Sequence, residues 1–137
     1  MKSGLDDAQG LLIKAEHDIR ACEIGLEHDA PLDTICFHIE QAAEKLLKAL
    51  LSHRGVTYPF THDLQELLEM ACTIAPSLSE FSASLADMTP YAVRIRYDQM
   101  IYPAEEETRE ALGIVLKLRF IIHGLLPPEM LPGVEQR

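Results

Sequence analysis

Between Pro31 and Gly55 the chain runs for more than twenty residues without a proline or a glycine, and its apolar residues keep returning to one direction. At about 100° per residue, Leu32, Ile35, Cys36, Ile39, Ala43, Leu46 and Leu50 share a face, which is the signature of an amphipathic helix and not of a strand. The pattern predicts a helix from Leu32 or Asp33 to His53. Arg54 supplies a basic last turn, and Gly55 can take the left-handed conformation that stops a helix. Ala42 and Ala49 lie beside the apolar face and are small enough to let a neighbouring helix come close. His38, Gln41, Lys45, Lys48 and Ser52 fall within one arc away from that face, with Phe37 at the edge of the strip.

The rest of the chain repeats the helical theme. Leu11, Leu12, Ala15, Ile19, Cys22, Ile24 and Leu26 predict a first helix over about Asp6 to Glu27, started by short oxygen-bearing side chains and ended by His28-Asp29-Ala30-Pro31. Thr61 is the expected N-cap of a third helix through about Ala75, with Asp63 in its first turn and Pro76 closing it. From Leu78 to Met100 the periodicity is weaker. Phe81, Leu85 and Met88 fit a helix, Pro90 interrupts it, and Tyr91 to Asp98 adds another turn or two. After Pro103, the acids Glu105, Glu106 and Glu107 open a final helix to about Gly124, with Lys117, Arg119 and His123 late, as the helix dipole favours. Its apolar residues go almost all the way round, which predicts burial on several sides, either at the centre of a bundle or against a second subunit. The tail after Pro127-Pro128 is expected to fray. No segment alternates as a strand does. The expected fold is all-α: an up-and-down antiparallel bundle of four to five helices, one domain over residues 1–137 with its core at about 5–126 and a tail at 127–137.

Composition narrows the function. Apolar residues make up 47% and charged residues 25% of 137, which suits a packed globule. No apolar run reaches the roughly 18 to 20 residues a membrane span needs; the longest, Leu112 to Leu126, is broken by Lys117, Arg119 and His123. The N-terminus turns acidic at Asp6-Asp7 with no secretory signal before it, so the expected location is cytoplasmic, without membrane contact. Cys22, Cys36 and Cys72 are odd in number and set among apolar residues, which favours reduced, buried thiols over a metal or disulfide role. Lys and Arg total 12 against 22 Asp and Glu, a formal charge of −10. That argues against non-specific grip on nucleic acid, so any phosphate site must be a local basic pocket on an acidic body.

Two clusters qualify. The first is the polar strip of the second helix, whose bland alternative is a face that simply meets water. The second is Arg94, Arg96 and Tyr97, with Tyr91 and Tyr102 nearby: two guanidiniums can hold phosphate while a ring faces a base. Its bland alternative is pairing with Asp87, Asp98 or Glu105 to Glu107. Arg119 and His123, four apart, read as a buried and satisfied pair. His17 stands beside Glu16 and Asp18, which face elsewhere. No spacing of His and acids forms a convincing metal site, and no Gly-rich phosphate loop, G-x-S-x-G elbow or H-E-x-x-H is present.

The segment Cys36-Phe37-His38-Ile39-Glu40-Gln41-Ala42-Ala43-Glu44-Lys45-Leu46-Leu47-Lys48-Ala49-Leu50, then Gly55, Thr61-His62-Asp63-Leu64 with Leu67-Leu68, and Tyr91-Ala92-Val93-Arg94-Ile95-Arg96-Tyr97 resemble the HEPN domain family in kind, order and spacing. The resemblance extends over about residues 5–126. It implies a helical bundle that forms homodimers, a nucleotide or RNA ligand and, in prokaryotes, a minimal nucleotidyltransferase partner in a toxin–antitoxin-type pair. Nuclease members carry an Arg followed after four to six residues by a His. Here Arg94 is followed at that distance by Gln99, Met100 and Ile101, and Arg96 by Ile101, Tyr102 and Pro103, with no His offered. The expectation is therefore a domain without catalytic residues, metal or cofactor, binding a nucleotide or RNA phosphate through His38, Gln41, Lys45, Arg94, Arg96 and Tyr97. Two alternatives stand beside it: a metal-independent RNase toxin using His38 or His123 as acid/base, and a non-catalytic protein-interaction module.

Overall fold

The structure, a computed structural model, describes residues 4–88 and 103–133, and among these it is helical without a strand. The helices are α1 (Gly4–Glu27), α2 (Leu32–His53) and α3 (Leu64–Cys72), then a 3₁₀ segment (Pro76–Phe81) running into helical residues 82–88 (α4), then α5 (Glu105–Gly124) and a single 3₁₀ turn (Pro128–Met130). The all-α class is as expected. The segment that carries Arg94, Arg96 and Tyr97 lies outside the described residues.

α2 is the hub, packed against α1, α5 and α3. It buries Ile35, Ile39, Leu46, Leu47, Leu50 and Leu51 together with Ala42, Ala43 and Ala49. Ala42 and Ala49 form the predicted small seam, and all three alanines are fully excluded from water. Facing them, α1 contributes Leu12, Ala15, Ile19 and Cys22; α3 adds Leu64, Leu67 and Leu68; α5 adds Val115, Leu118 and Ile122. α1 and α2 form an antiparallel hairpin across a short turn, in which Asp29 takes a left-handed φ of 55° and the Ala30 amide donates to the Gly25 carbonyl at 2.9 Å. Gly25 is needed there because a Cβ would sit 3.1 Å from Ile35 Cγ1 and 3.2 Å from Ala30 Cβ. Gly55 ends α2 with φ 71°, the expected left-handed stop.

Boundaries differ in instructive ways. α1 starts at Gly4, before Asp6. Asp63, not Thr61, caps α3: its carboxylate accepts from the Gln65 and Glu66 amides at 3.0 and 3.4 Å, while Thr61 Oγ1 accepts from the Asp63 amide at 3.0 Å. With Leu64 as first helical residue, only a side chain at 63 reaches those free amides. α3 stops at Cys72, short of Ala75, because Pro76 excludes the helical conformation from the residue before it, and Ala75 is extended at φ −135°, ψ 90°. α5 buries one side, and Phe120 on another is 81% exposed, so it is not the centre of the chain's own bundle. The expected frayed tail instead forms the turn Pro128–Met130 against α1, with Met130 buried, a flexible thioether filling a gap in the core.

Candidate functional site

The polar strip of α2 is neither bare nor simply hydrated. His38 and Lys45 are seven residues apart, two helical turns, and so project from the same side. In the antiparallel hairpin that side is met by Asp18 of α1. Asp18 is only 7% exposed; its Oδ1 accepts from His38 Nδ1 at 2.8 Å and its Oδ2 from Lys45 Nζ at 2.5 Å. An ionised carboxylate only accepts, so it selects the imidazole tautomer protonated at Nδ1 and leaves Nε2 for another partner. Lys45 spends one of its three N–H groups on Asp18 and keeps two. Gln41, half-buried, lies between them on the same strip, and Phe37, about half exposed, meets the His38 ring edge-on at a centroid distance of 5.5 Å.

A second carboxylate organises the next stretch. Glu44, also buried, accepts from Lys48 Nζ at 3.1 Å and from His62 Nδ1 at 2.9 Å, which ties α2 to the connection before α3. The Lys48 ammonium also sits 5.6 Å from the Tyr58 ring centroid, a cation–π geometry. Arg119 Nη1 donates to both carboxylate oxygens of Glu16 of α1, at 2.8 and 3.0 Å, a half-buried clamp between α5 and α1. The structure joins His38 and Lys45 through Asp18, with Gln41 on the same side of α2. Arg94, Arg96 and Tyr97 lie outside the described residues. What periodicity missed is Asp18: the sequence places it in step with Leu11, Ala15 and Cys22, an acid in an apolar register, and that was the available signal.

Among the described residues no group of three His, Cys, Asp or Glu is arranged to hold a metal. Burial disfavours the thiolate at all three cysteines. Burial, reinforced by the nearby Asp18 carboxylate, pushes Cys22 from 9.0 up to about 12, and burial also raises Cys36 and Cys72. Thiolate, the reactive form, is correspondingly scarce near neutral pH. Alkylation with iodoacetamide at pH 8 is therefore expected to reach the half-buried Cys72 first and to label Cys22 and Cys36 only on unfolding, with peptide mass mapping as the readout. Because Cys22 is raised in the folded state, its contribution to stability is intact below pH 9 and declines as pH climbs towards 12.

The family model of the HEPN domain matches residues 8–123, most of the chain, and takes in both carboxylate clusters. The chain belongs to the HEPN domain family. No curated protein and no solved structure matches it. HEPN membership relates this helical domain in general to nucleotides and RNA. No helix among the described residues is long and apolar enough to cross a membrane.

Proposed function

We propose that this HEPN chain, as one domain, binds a nucleotide or RNA phosphate on the α2 strip through His38, Gln41 and Lys45, with Arg94, Arg96 and Tyr97 completing the site. The observation that carries this reading is Asp18, a nearly buried carboxylate that fixes an imidazole and an ammonium side by side. Burying a charge is costly, and here it orients two donors that a plain solvated face would leave loose. The two free N–H groups of Lys45 suit phosphate oxygens, His38 Nε2 suits a ribose hydroxyl, and the exposed face of Phe37 suits a base. Asp18 also cancels one positive charge, so the two arginines are needed to attract an anion to a chain of charge −10.

The test is a thermal-shift series with AMP, ATP and a short RNA, since a ligand at 100 times its dissociation constant stabilises the fold by about 2.7 kcal/mol. Lys45→Ala is expected to weaken binding by about ten- to a hundredfold, the worth of one charge-assisted contact at about 1.5–3 kcal/mol. Asp18→Asn, which keeps shape but loses charge and the grip on Lys45, should weaken it less. Unchanged affinity in Lys45→Ala and Arg96→Ala would remove the assignment.

The Asp18–His38 pair also favours a second reading, metal-independent RNA cleavage, in which His38 Nε2 takes the proton of a 2′-hydroxyl as that oxygen attacks the adjacent phosphorus. The bond from phosphorus to the 5′-oxygen of the next nucleotide breaks, and this leaving oxygen takes a proton from water, leaving a 2′,3′-cyclic phosphate. RNA left intact by the wild-type protein under all conditions would eliminate it. A homodimer and a minimal nucleotidyltransferase partner in a toxin–antitoxin-type pair complete the proposal. The exposed Phe120 of α5 supports the dimer, and Phe120→Glu should convert a dimeric elution volume to a monomeric one.

A further inference from the structure

The arrangement at Asp18 occurs twice. In the first case a buried acid holds a histidine Nδ1 and a lysine ammonium, with the ring of Phe37 edge-on to the imidazole. In the second, Glu44 holds His62 Nδ1 and Lys48, with the ring of Phe60 edge-on to His62 at 6.0 Å and 71°. Both acids are almost wholly buried, and both imidazoles are left with Nε2 for an outside partner. The second cluster is the more open at its tip, since the His62 side chain is 70% exposed.

Phe60 is the telling residue. It is 98% exposed, yet the segment that carries it is fastened on either side. Val56 and Tyr58 pack on the core, His62 is bonded to Glu44, and Leu64 is buried. The aromatic is therefore held out on an anchored connection. Lys48, mostly covered by Glu44 and Tyr58, is a positioning group; His62 and Phe60 face outward. Both clusters hang on α2, where His38 and Glu44 are six residues apart, about 9 Å of rise and about 120° of turn, so they stand at the two edges of the polar strip and a ligand that touches both must be longer than one nucleotide.

We infer that His62 and Phe60, positioned by Glu44 and Lys48, form a second nucleotide subsite beside the first, so that the ligand is a single-stranded RNA of at least two nucleotides and not a mononucleotide. The inference rests on the reading of the His38–Lys45 strip as the first subsite. In it, Phe60 stacks the second base and His62 Nε2 bonds its ribose or phosphate. Stacking on an exposed ring tolerates any base and needs little net charge, which suits a cluster whose cations are already matched by an acid.

The experiment compares AMP with the 5′-phosphorylated dinucleotide pApA by calorimetric titration of the full chain. pApA is expected to bind about tenfold or more tightly than AMP, in line with one added stacked base. Phe60→Ala should bring pApA down to the AMP value and leave AMP binding and the melting temperature unchanged, and His62→Ala should act in the same direction. Lys45→Ala should weaken both ligands. If Phe60→Ala leaves the ratio of the two affinities unchanged while Lys45→Ala still weakens both, the second subsite is wrong and the first stands. If neither ligand binds, both fall. If Phe60→Ala weakens a protein complex but not pApA, the aromatic belongs to a protein interface and the subsite is overturned.

Discussion

Glu44→Ala should destabilise the fold by about 3 kcal/mol or more, the cost of removing one member of a buried ion pair. The reason lies in what stays behind. The Lys48 side chain is only 12% exposed, so without Glu44 its ammonium remains mostly out of water with no carboxylate to meet it, and His62 loses the bond that ties the connection to α2. Urea unfolding followed by circular dichroism measures the change. A companion variant separates pairing from packing. Replacing both partners, Glu44→Leu with Lys48→Met, removes the orphaned charge and should recover most of the loss, because apolar residues of similar size often match a buried pair in stability. A Glu44→Ala protein as stable as the wild type would mean that Lys48 escapes to solvent at no cost.

Leu50→Ala is the second large effect, expected at about 3 kcal/mol within the 2–5 range for a leucine truncated in a rigid core. Leu50 is fully buried in α2, the helix that α1, α3 and α5 all contact, so the cavity has few ways to collapse. The same unfolding curve reports it. In the isolated protomer Phe120→Ala, at a side chain 81% exposed, should by contrast change stability by only a few tenths of a kcal/mol.

Much of this architecture is legible in the chain because helical periodicity is a property of one segment at a time. Leu32 to Leu50 announces α2, and the Ala42 and Ala49 seam is where α2 is fully buried. The candidate strip of His38, Gln41 and Lys45 follows from the same wheel. Asp18 does not, since its role exists only once α1 lies antiparallel to α2 and the register sets residue 18 against 38 and 45. Counting back from the turn at residues 28–31 would have found it. Glu44 is illegible for a related reason: its histidine is eighteen residues away, across a connection of no regular period. At Thr61-His62-Asp63 the sequence offers two capping side chains, and only the position of the first helical residue decides for Asp63. The fraying expected of the tail misses Met130 because one apolar residue has no periodicity to reveal it.

α2 carries core on most of its circumference and the polar strip on the remainder, with Asp18 and Glu44 binding that strip into the interfaces. Such a helix has little freedom to evolve. A change at Lys45 or Lys48 disturbs an ion pair as well as a contact surface, so selection for a new ligand cannot act on those positions without also acting on stability. Room for variation lies at Phe37 and Gln41, which have no such partner described, and above all at Phe60, bare at the tip of a firmly held connection. Relatives that differ in what they bind should therefore differ first in the residues between α2 and α3, with the helix beneath them preserved.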